Sequence, residues 1–331
     1  MFGGIFNLAT EGLGRLVPVA SGITMSLVSG GALLAVVGVV TDRFGILSSC
    51  WVFAAFLGYI LFFAVVAAGA KTLPALPKNG WAFCLCIQGF SAIIRLAMNI
   101  LAFCAHPDDI ELNVGGTLLK YRKQGHKIYI ALTTSGNTGS NVMTDVEEIG
   151  RVREAEMMKS AALYDAEVRF LRNDDERLLD TNETRTQVLD AMRWADPDVI
   201  FTHYPDDQST DHAMTSKLVR EMFLSLPGKN QQSHEKPCTK KVSLFYWEPS
   251  YGINFLPEVY VDITDECDEK LKGIYFHDSQ FPYMAEFGCT DFAEEARVWA
   301  RFRGIQNGCK YAEAFRAHRI HGYMPDFKVL P

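Results

Sequence analysis

The chain has 331 residues, 48% of them hydrophobic, with 32 basic and 39 acidic side chains and a formal net charge of −7. That length suits one large or two ordinary domains, and the composition excludes a disordered or collagen-like chain. The acidic balance excludes broad nucleic-acid affinity, because phosphate binding needs basic stripes.

The charge is unevenly spread. Residues 1–97 carry only seven charged side chains (Glu11, Arg15, Asp42, Arg43, Lys71, Lys78 and Arg95), a net of +3, whereas residues 98–331 carry a net of −10 and all eight histidines. Within the first region, 26 uncharged residues separate Arg15 from Asp42 and 27 separate Arg43 from Lys71. Both runs exceed the roughly 20 apolar residues that cross a bilayer as helix. With the Asp42-Arg43 turn between them, they predict a hydrophobic hairpin of two transmembrane helices. A cleaved signal peptide fits poorly, since its apolar core is only about 7–15 residues. A third run, 79–94, has 16 uncharged residues and reads as interfacial or packed on the hairpin. Lys71 and Lys78 come after the second run without a nearby acid, which favours the cytoplasmic side for the remainder of the chain. The expected location is therefore a membrane, with the domain after residue 97 on its cytoplasmic face. The competing reading is a hairpin buried in a soluble protein, or a non-spanning extension ahead of Met98.

From Met98 the pattern becomes strand, loop and helix in alternation. Strands are predicted at 99–104, 128–133, 168–171 and 198–202, and helices at 115–124, 146–163, 182–194 and 212–224. The polar stretch 225–239 reads as a loop. Two further strands are predicted at 242–246 and 259–261, with helical segments near Lys270 and Glu294. This order predicts an α/β fold, a Rossmann-like parallel sheet with helices on both faces in three layers. Five cysteines are scattered through this domain without a C-x-x-C pair. They argue against a disulfide framework and for a reducing compartment.

In open α/β sheets, ligands bind beyond the carboxyl ends of the strands. Directly after the first strand comes Ala105-His106-Pro107-Asp108-Asp109-Ile110-Glu111-Leu112, then Gly115-Gly116-Thr117. After the 198–202 strand comes His203-Tyr204-Pro205-Asp206-Asp207-Gln208-Ser209-Thr210-Asp211-His212. Both clusters are expected at one sheet edge, where imidazoles and carboxylates suit a zinc site with an open position. Adjacent Asp108 and Asp109 can point apart, so that one binds metal while its neighbour holds the water. The ordinary reading stays open here: an Asp pair after a strand caps a helix or turn, and a lone His sits on the surface or in the core. Gly115-Gly116 either admits a phosphate to the backbone or marks a helix start that needs a small residue.

The run His106 to Leu112 with Gly115-Gly116-Thr117 resembles the opening motif of the LmbE-like/PIG-L deacetylase family. The resemblance extends from Met98 to about Phe315. It takes in 134–139, Arg153-Glu154-Ala155-Glu156, Pro205-Asp206-Asp207, Asp211-His212, 261–264, His277-Asp278-Ser279-Gln280 and 311–315. It leaves residues 1–97 outside. It implies an enzyme that uses zinc, or another divalent metal, to remove acetyl groups from N-acetylglucosamine conjugates. By position it implies His106, Asp109 and His212 as metal ligands and Asp108 as the general base.

This chain departs from that pattern at one place. Many family members carry a histidine three residues before the last ligand, credited with stabilising the oxyanion or delivering a proton; here the residue is Ser209. Serine cannot carry a positive charge. Returning the proton then falls to Asp108, with His277 the second candidate, unless His277 merely orients the C-terminal helix. Asp211 is expected to hold an imidazole ligand in its tautomer. Arg153 either contacts a substrate phosphate or hydroxyl or pairs with a helix carboxylate. The expected partners are an amino-sugar conjugate as substrate and a membrane through residues 1–97; no oligomeric state is predicted. The competing functions are an amidase of the same fold on another N-acyl substrate, and a sugar-binding domain silenced by the loss at Ser209.

Overall fold

The computed structural model describes residues 97–289, 291–320 and 323–331. The two uncharged runs of the proposed hairpin, and the third run at 79–94, lie outside them. Among the described residues no helix is long and apolar enough to cross a membrane.

Strand β1 (Asn99–Cys104) is buried from its second residue onward, which places it in the middle of the sheet. Its neighbours are β2 (Lys127–Thr134) and β4 (Val199–Thr202), both parallel to it. Beyond these lie β3 (Glu167–Asn173) and β5 (Ser243–Trp247), also parallel. The last two strands, β6 (Val259–Asp262) and β7 (Ala312–Ala317), complete the order β3-β2-β1-β4-β5-β7-β6. β7 pairs antiparallel with both β5 and β6. The sheet is therefore mostly parallel rather than wholly so. The physical reason is that β7 arrives from a long helix and enters between β5 and β6, running against both.

Side chains of β1 alternate between two cores, as the strand period of two requires. Ile100, Ala102 and Cys104 face one core. It is shared with α2 (Gly115–Lys123), α3 (Val146–Ala161), α6 (Cys267–Ile274) and α8 (Phe292–Asn307). Leu101 and Phe103 face the other, with α4 (Asn182–Ala195) and α5 (Thr210–Phe223). Three layers result, as the alternation predicts. Two short helices carry no sequence signal strong enough to predict them: α1 (Asp109–Asn113) and α7 (Gln280–Glu286).

Helix starts are satisfied locally. The Asp145 carboxylate accepts from the Glu147 and Glu148 amides at the start of α3, and Thr181 with Thr184 forms a capping box on α4. At α2 the partner is remote: the Gly116 and Thr117 amides donate to the two carboxylate oxygens of Glu313, at 2.9 and 2.8 Å. A Cβ on Gly115 would lie 2.7 Å from the Tyr164 hydroxyl, and one on Gly116 would lie 2.8 Å from Ile263. The glycines thus serve packing, and the helix start holds an internal carboxylate. The phosphate reading of Gly115-Gly116 is corrected accordingly. The five described cysteines are free, and four of them are buried.

Candidate active site

The strand order turns back on itself between β1 and β4, and ligands in such sheets bind at this crevice beyond the strand ends. The loop after β1 delivers His106 to Asp109, and the loop after β4 leads into α5 with His212. Both predicted clusters therefore meet at the expected edge, lining a cavity of about 670 Å³.

The β1 loop is held in an uncommon shape. Asp108 has φ 111 and ψ −25, a left-handed conformation that costs an ordinary residue energy and concentrates at functional sites. Its carboxylate caps no amide of α1, so the helix-cap reading fails for it. Instead it meets the buried guanidinium of Arg153, whose Nη2 donates to Pro107 O at 2.8 Å and to Asp108 Oδ2 at 3.2 Å. Nη1 of the same side chain donates to Gly136 O at 2.9 Å. Gly136 has φ 61, and any Cβ there would collide with that guanidinium, so glycine is required. Burial, opposed by Arg153 and reinforced by Asp109, pushes the Asp108 carboxyl up to about 6.

Next to it, His106, Asp109 and His212 each offer one ligand atom within 4.8 Å of the others. His106 Nδ1 lies 3.1 Å from His212 Nε2, and Asp109 Oδ1 lies 3.2 Å from His212 Nε2. The far nitrogen of each ring meets a second carboxylate. His106 Nε2 is 2.9 Å from Asp175 Oδ1 and 3.4 Å from Asp211 Oδ2, and His212 Nδ1 is 3.2 Å from Asp207 Oδ1. Carboxylates behind imidazole ligands fix the tautomer and raise basicity. Asp211 was expected in that role; Asp175 is the nearer partner, while Asp211 also accepts the Glu176 amide at 2.6 Å.

Asp109 is anchored from behind by the Ala105 and His106 amides, at 3.0 and 2.7 Å from its Oδ2. His203, fully buried, completes the anchor. Its Nδ1 accepts the Trp247 indole N–H at 3.2 Å, and its Nε2 lies 3.0 Å from the Ala105 amide and 3.1 Å from Asp109 Oδ2. Burial drops the His203 imidazole to about 4, so this ring is neutral. Against its own burial, Asp109 is held well below the usual carboxylate range by His212 and His203.

The donor set fits a divalent cation. Burial alone would lower His106 and His212, but Asp175 and Asp211 raise the first to about 9, and Asp109 and Asp207 raise the second to about 10. Were both rings charged, two N–H groups would confront each other across 3.1 Å. A cation in place of those protons removes the conflict and keeps the positive charge that the surrounding carboxylates demand. Two imidazoles and one carboxylate are a ligand set typical of zinc with an open position.

Of the remaining predicted residues, Ser209 and Arg153 share the cavity and His277 does not. Ser209 lines the cavity and is the N-cap of α5, its hydroxyl accepting the His212 amide. Arg153 pairs with Asp108 rather than with a carboxylate of its own helix. His277 is sealed from solvent, 3.2 Å from Glu111 Oε2, and does not line the cavity. Sequence reasoning missed Asp175, Asp207 and His203 as parts of the site. A signal existed for each: Asp175 comes after β3 at the same sheet edge, and His203 and Asp207 stand in the run after β4 that includes the recognised Pro205-Asp206-Asp207.

The chain is similar to known proteins. Residues 101–223 match the family model described as PIG-L: GlcNAc-PI de-N-acetylase. The diacetylchitobiose deacetylase of Thermococcus kodakarensis is 27% identical over 230 residues, covering 66% of this chain and 82% of that protein. The solved N,N'-diacetylchitobiose deacetylase of Pyrococcus horikoshii aligns with a TM-score of 0.59 at 24% identity, over 74% of this chain and 95% of its own. GalB, the 4-carboxy-2-hydroxymuconate hydratase of Pseudomonas putida, also reaches a TM-score of 0.59, at 20% identity over 67% and 98%. These two structural likenesses establish the fold alone.

Proposed function

Because this chain belongs to the PIG-L/LmbE-like deacetylase family, we propose that it is a metal-dependent N-deacetylase of an N-acetylglucosamine-type conjugate. One observation carries the reading: His106, Asp109 and His212 converge beside the strained Asp108 at the mouth of β1 and β4. Those three side chains would hold a divalent ion, zinc for preference, which would supply Lewis acidity at the reacting amide. The protein's own groups do the rest. Asp108, ionised at neutral pH but with a raised pKa, takes a proton from water as its oxygen adds to the carbonyl carbon. Arg153 fixes the direction of that carboxylate. When the C–N bond breaks, Asp108 returns the proton to the departing nitrogen, giving acetate and the free amine. Proton return by Asp108 needs no imidazole at 209, which accommodates serine there.

The test couples metal analysis to acetate release on a panel of N-acetylglucosaminides. About one divalent ion per chain and acetate lost on chelation and regained with zinc are expected. A protein that binds no ion, or releases no acetate from any member of the panel, refutes the reading.

On sequence grounds alone, residues 1–97 are proposed as a membrane anchor that leaves the catalytic domain on the cytoplasmic side. Full-length protein is then expected in membranes and released by detergent but not by high salt or alkali. Release by salt, or recovery free of membranes, overturns the anchor without touching the chemistry.

A further inference from the structure

The cavity is larger than its ion cluster. Its volume of about 670 Å³ lies mid-range for sites that take a drug-sized ligand, about 300–1,000 Å³. Part of its wall comes from α7, α8 and the loop around Tyr251, with Tyr251, Tyr283, Met284, Phe287, Phe292 and Trp299 in the lining. This wall is pre-formed. The Arg303 guanidinium sits 5.0 Å from the centre of the Trp299 ring and is itself tied to Glu248 at 2.6 Å. On the other side, Gly252, at φ 61, approaches so closely that a Cβ would lie 2.5 Å from the Trp299 ring. Tyr251 donates its hydroxyl to Glu295 at 2.9 Å, which fixes a carboxylate beside the aromatic surface.

The charge of the lining is one-sided. Asp108, Asp109, Asp175, Glu176, Asp211 and Glu295 all line the cavity, and among the described residues the sole Lys or Arg to do so is Arg153. That guanidinium is already committed to Pro107 O, Gly136 O and Asp108. A bound divalent ion would cancel two of the six negative charges and leave the lining acidic. The other place where backbone amides gather, the start of α2, is filled by Glu313.

We propose that the aromatic arm of this cavity is a subsite for an uncharged, apolar or aromatic aglycone, and that it disfavours a phosphate on the sugar. The proposal rests on the deacetylase reading and names its substrate class. A phosphate beside the aromatic wall would meet like charge from Glu295, with no uncommitted Lys or Arg in the described lining to pair it, in a partly enclosed site where such repulsion is weakly screened. An aromatic group would instead lie against rings already held in place.

The experiment measures kcat/KM for acetate release by the full-length, zinc-loaded protein on three sugars: N-acetylglucosamine, its aryl glycoside and its 1-phosphate. The aryl glycoside should exceed the free sugar by about 3- to 10-fold, the range of one aromatic stacking contact, and the phosphate should fall below it. Trp299→Ala should remove most of the aryl preference. Tyr251→Ala, at an exposed position outside the core, should reduce it as well and guards against misfolding of the first variant. Glu295→Lys should raise the rate on the phosphate relative to the free sugar. A phosphate turned over as well as the free sugar, or an aryl preference intact in both aromatic variants, overturns the proposal while leaving the deacetylase reading standing. Acetate from none of the three overturns both.

Discussion

Helix α1 carries two acid–imidazole clusters two residues apart, and they have opposite characters. Asp109 belongs to an open cluster: its partners His106 and His212 line the cavity, each of these rings has a carboxylate behind it, and a cation fits between them. Glu111 belongs to a sealed one. It has no solvent exposure, accepts the Ser160 hydroxyl, and lies 3.2 Å from a fully buried His277. The His277 ring nitrogens lack aligned hydrogen-bond partners, so the contact is an ion pair more than a directed bond. Residue type alone does not separate the two clusters. Access to the cavity does, and it assigns chemistry to Asp109 and cohesion to Glu111.

Breaking the open cluster should have the largest effect. His106→Ala or His212→Ala should remove the bound ion and with it all turnover, read by metal content and acetate release; full metal in both would dissolve the contrast. Asp108→Asn should keep the ion and lose about 10²–10⁴ in kcat, the usual contribution of general acid–base catalysis. Asp175→Asn, which leaves His106 Nε2 without its nearer carboxylate, should weaken the ion by about 10- to 100-fold, measured by competition with a chelator.

The sealed cluster should respond through stability. His277→Ala leaves the buried Glu111 carboxylate without its counter-charge, a loss of about 3–5 kcal/mol. For a domain of this size that is a fall in Tm of roughly 10 °C, with kcat in the folded protein changed only a few-fold. A collapse of kcat at unchanged Tm would move His277 into the chemistry. The pH dependence has a definite sign. Burial lowers the His277 pKa, but Glu111 outweighs it and the net shift is upward from 6.5. Its stabilisation is therefore full below pH 6.5 and is lost as pH rises through the raised value. Tm of the parent should drop across that window more than Tm of His277→Gln. The smallest effect is expected at Ser209→Ala: losing an N-cap costs about 1 kcal/mol, a Tm shift of roughly 2–4 °C in the helix that carries His212.

Much of this was legible in residues. β1, β2 and β4 are short β-rich runs between turns, and their burial on both faces leaves little else for them to be. The two motifs could be placed at one edge because each comes directly after such a strand. β7 was not legible: Ala-Glu-Ala-Phe-Arg-Ala favours helix, and only the slot between β5 and β6 makes it a strand. Nor could spacing alone say which way Asp108 and Asp109 point, since that depends on a left-handed backbone and on Arg153 arriving from α3. His203 was hidden by its neighbours; its role depends on the indole of Trp247, 44 residues away.

The Glu313 bridge has a consequence for how the molecule is made. The amides that open α2 wait for a carboxylate 197 residues downstream, on the last strand of the sheet, where Lys270 also pairs with it at 2.6 Å. During synthesis, the start of α2 must therefore stay incompletely tied until Glu313 has left the ribosome. Contacts this remote are slow to form. A chain that stops short of Ala312 would keep every ligand and the general base, yet leave buried amides and a buried lysine without their acid. The ion site is written early in the chain and is secured last.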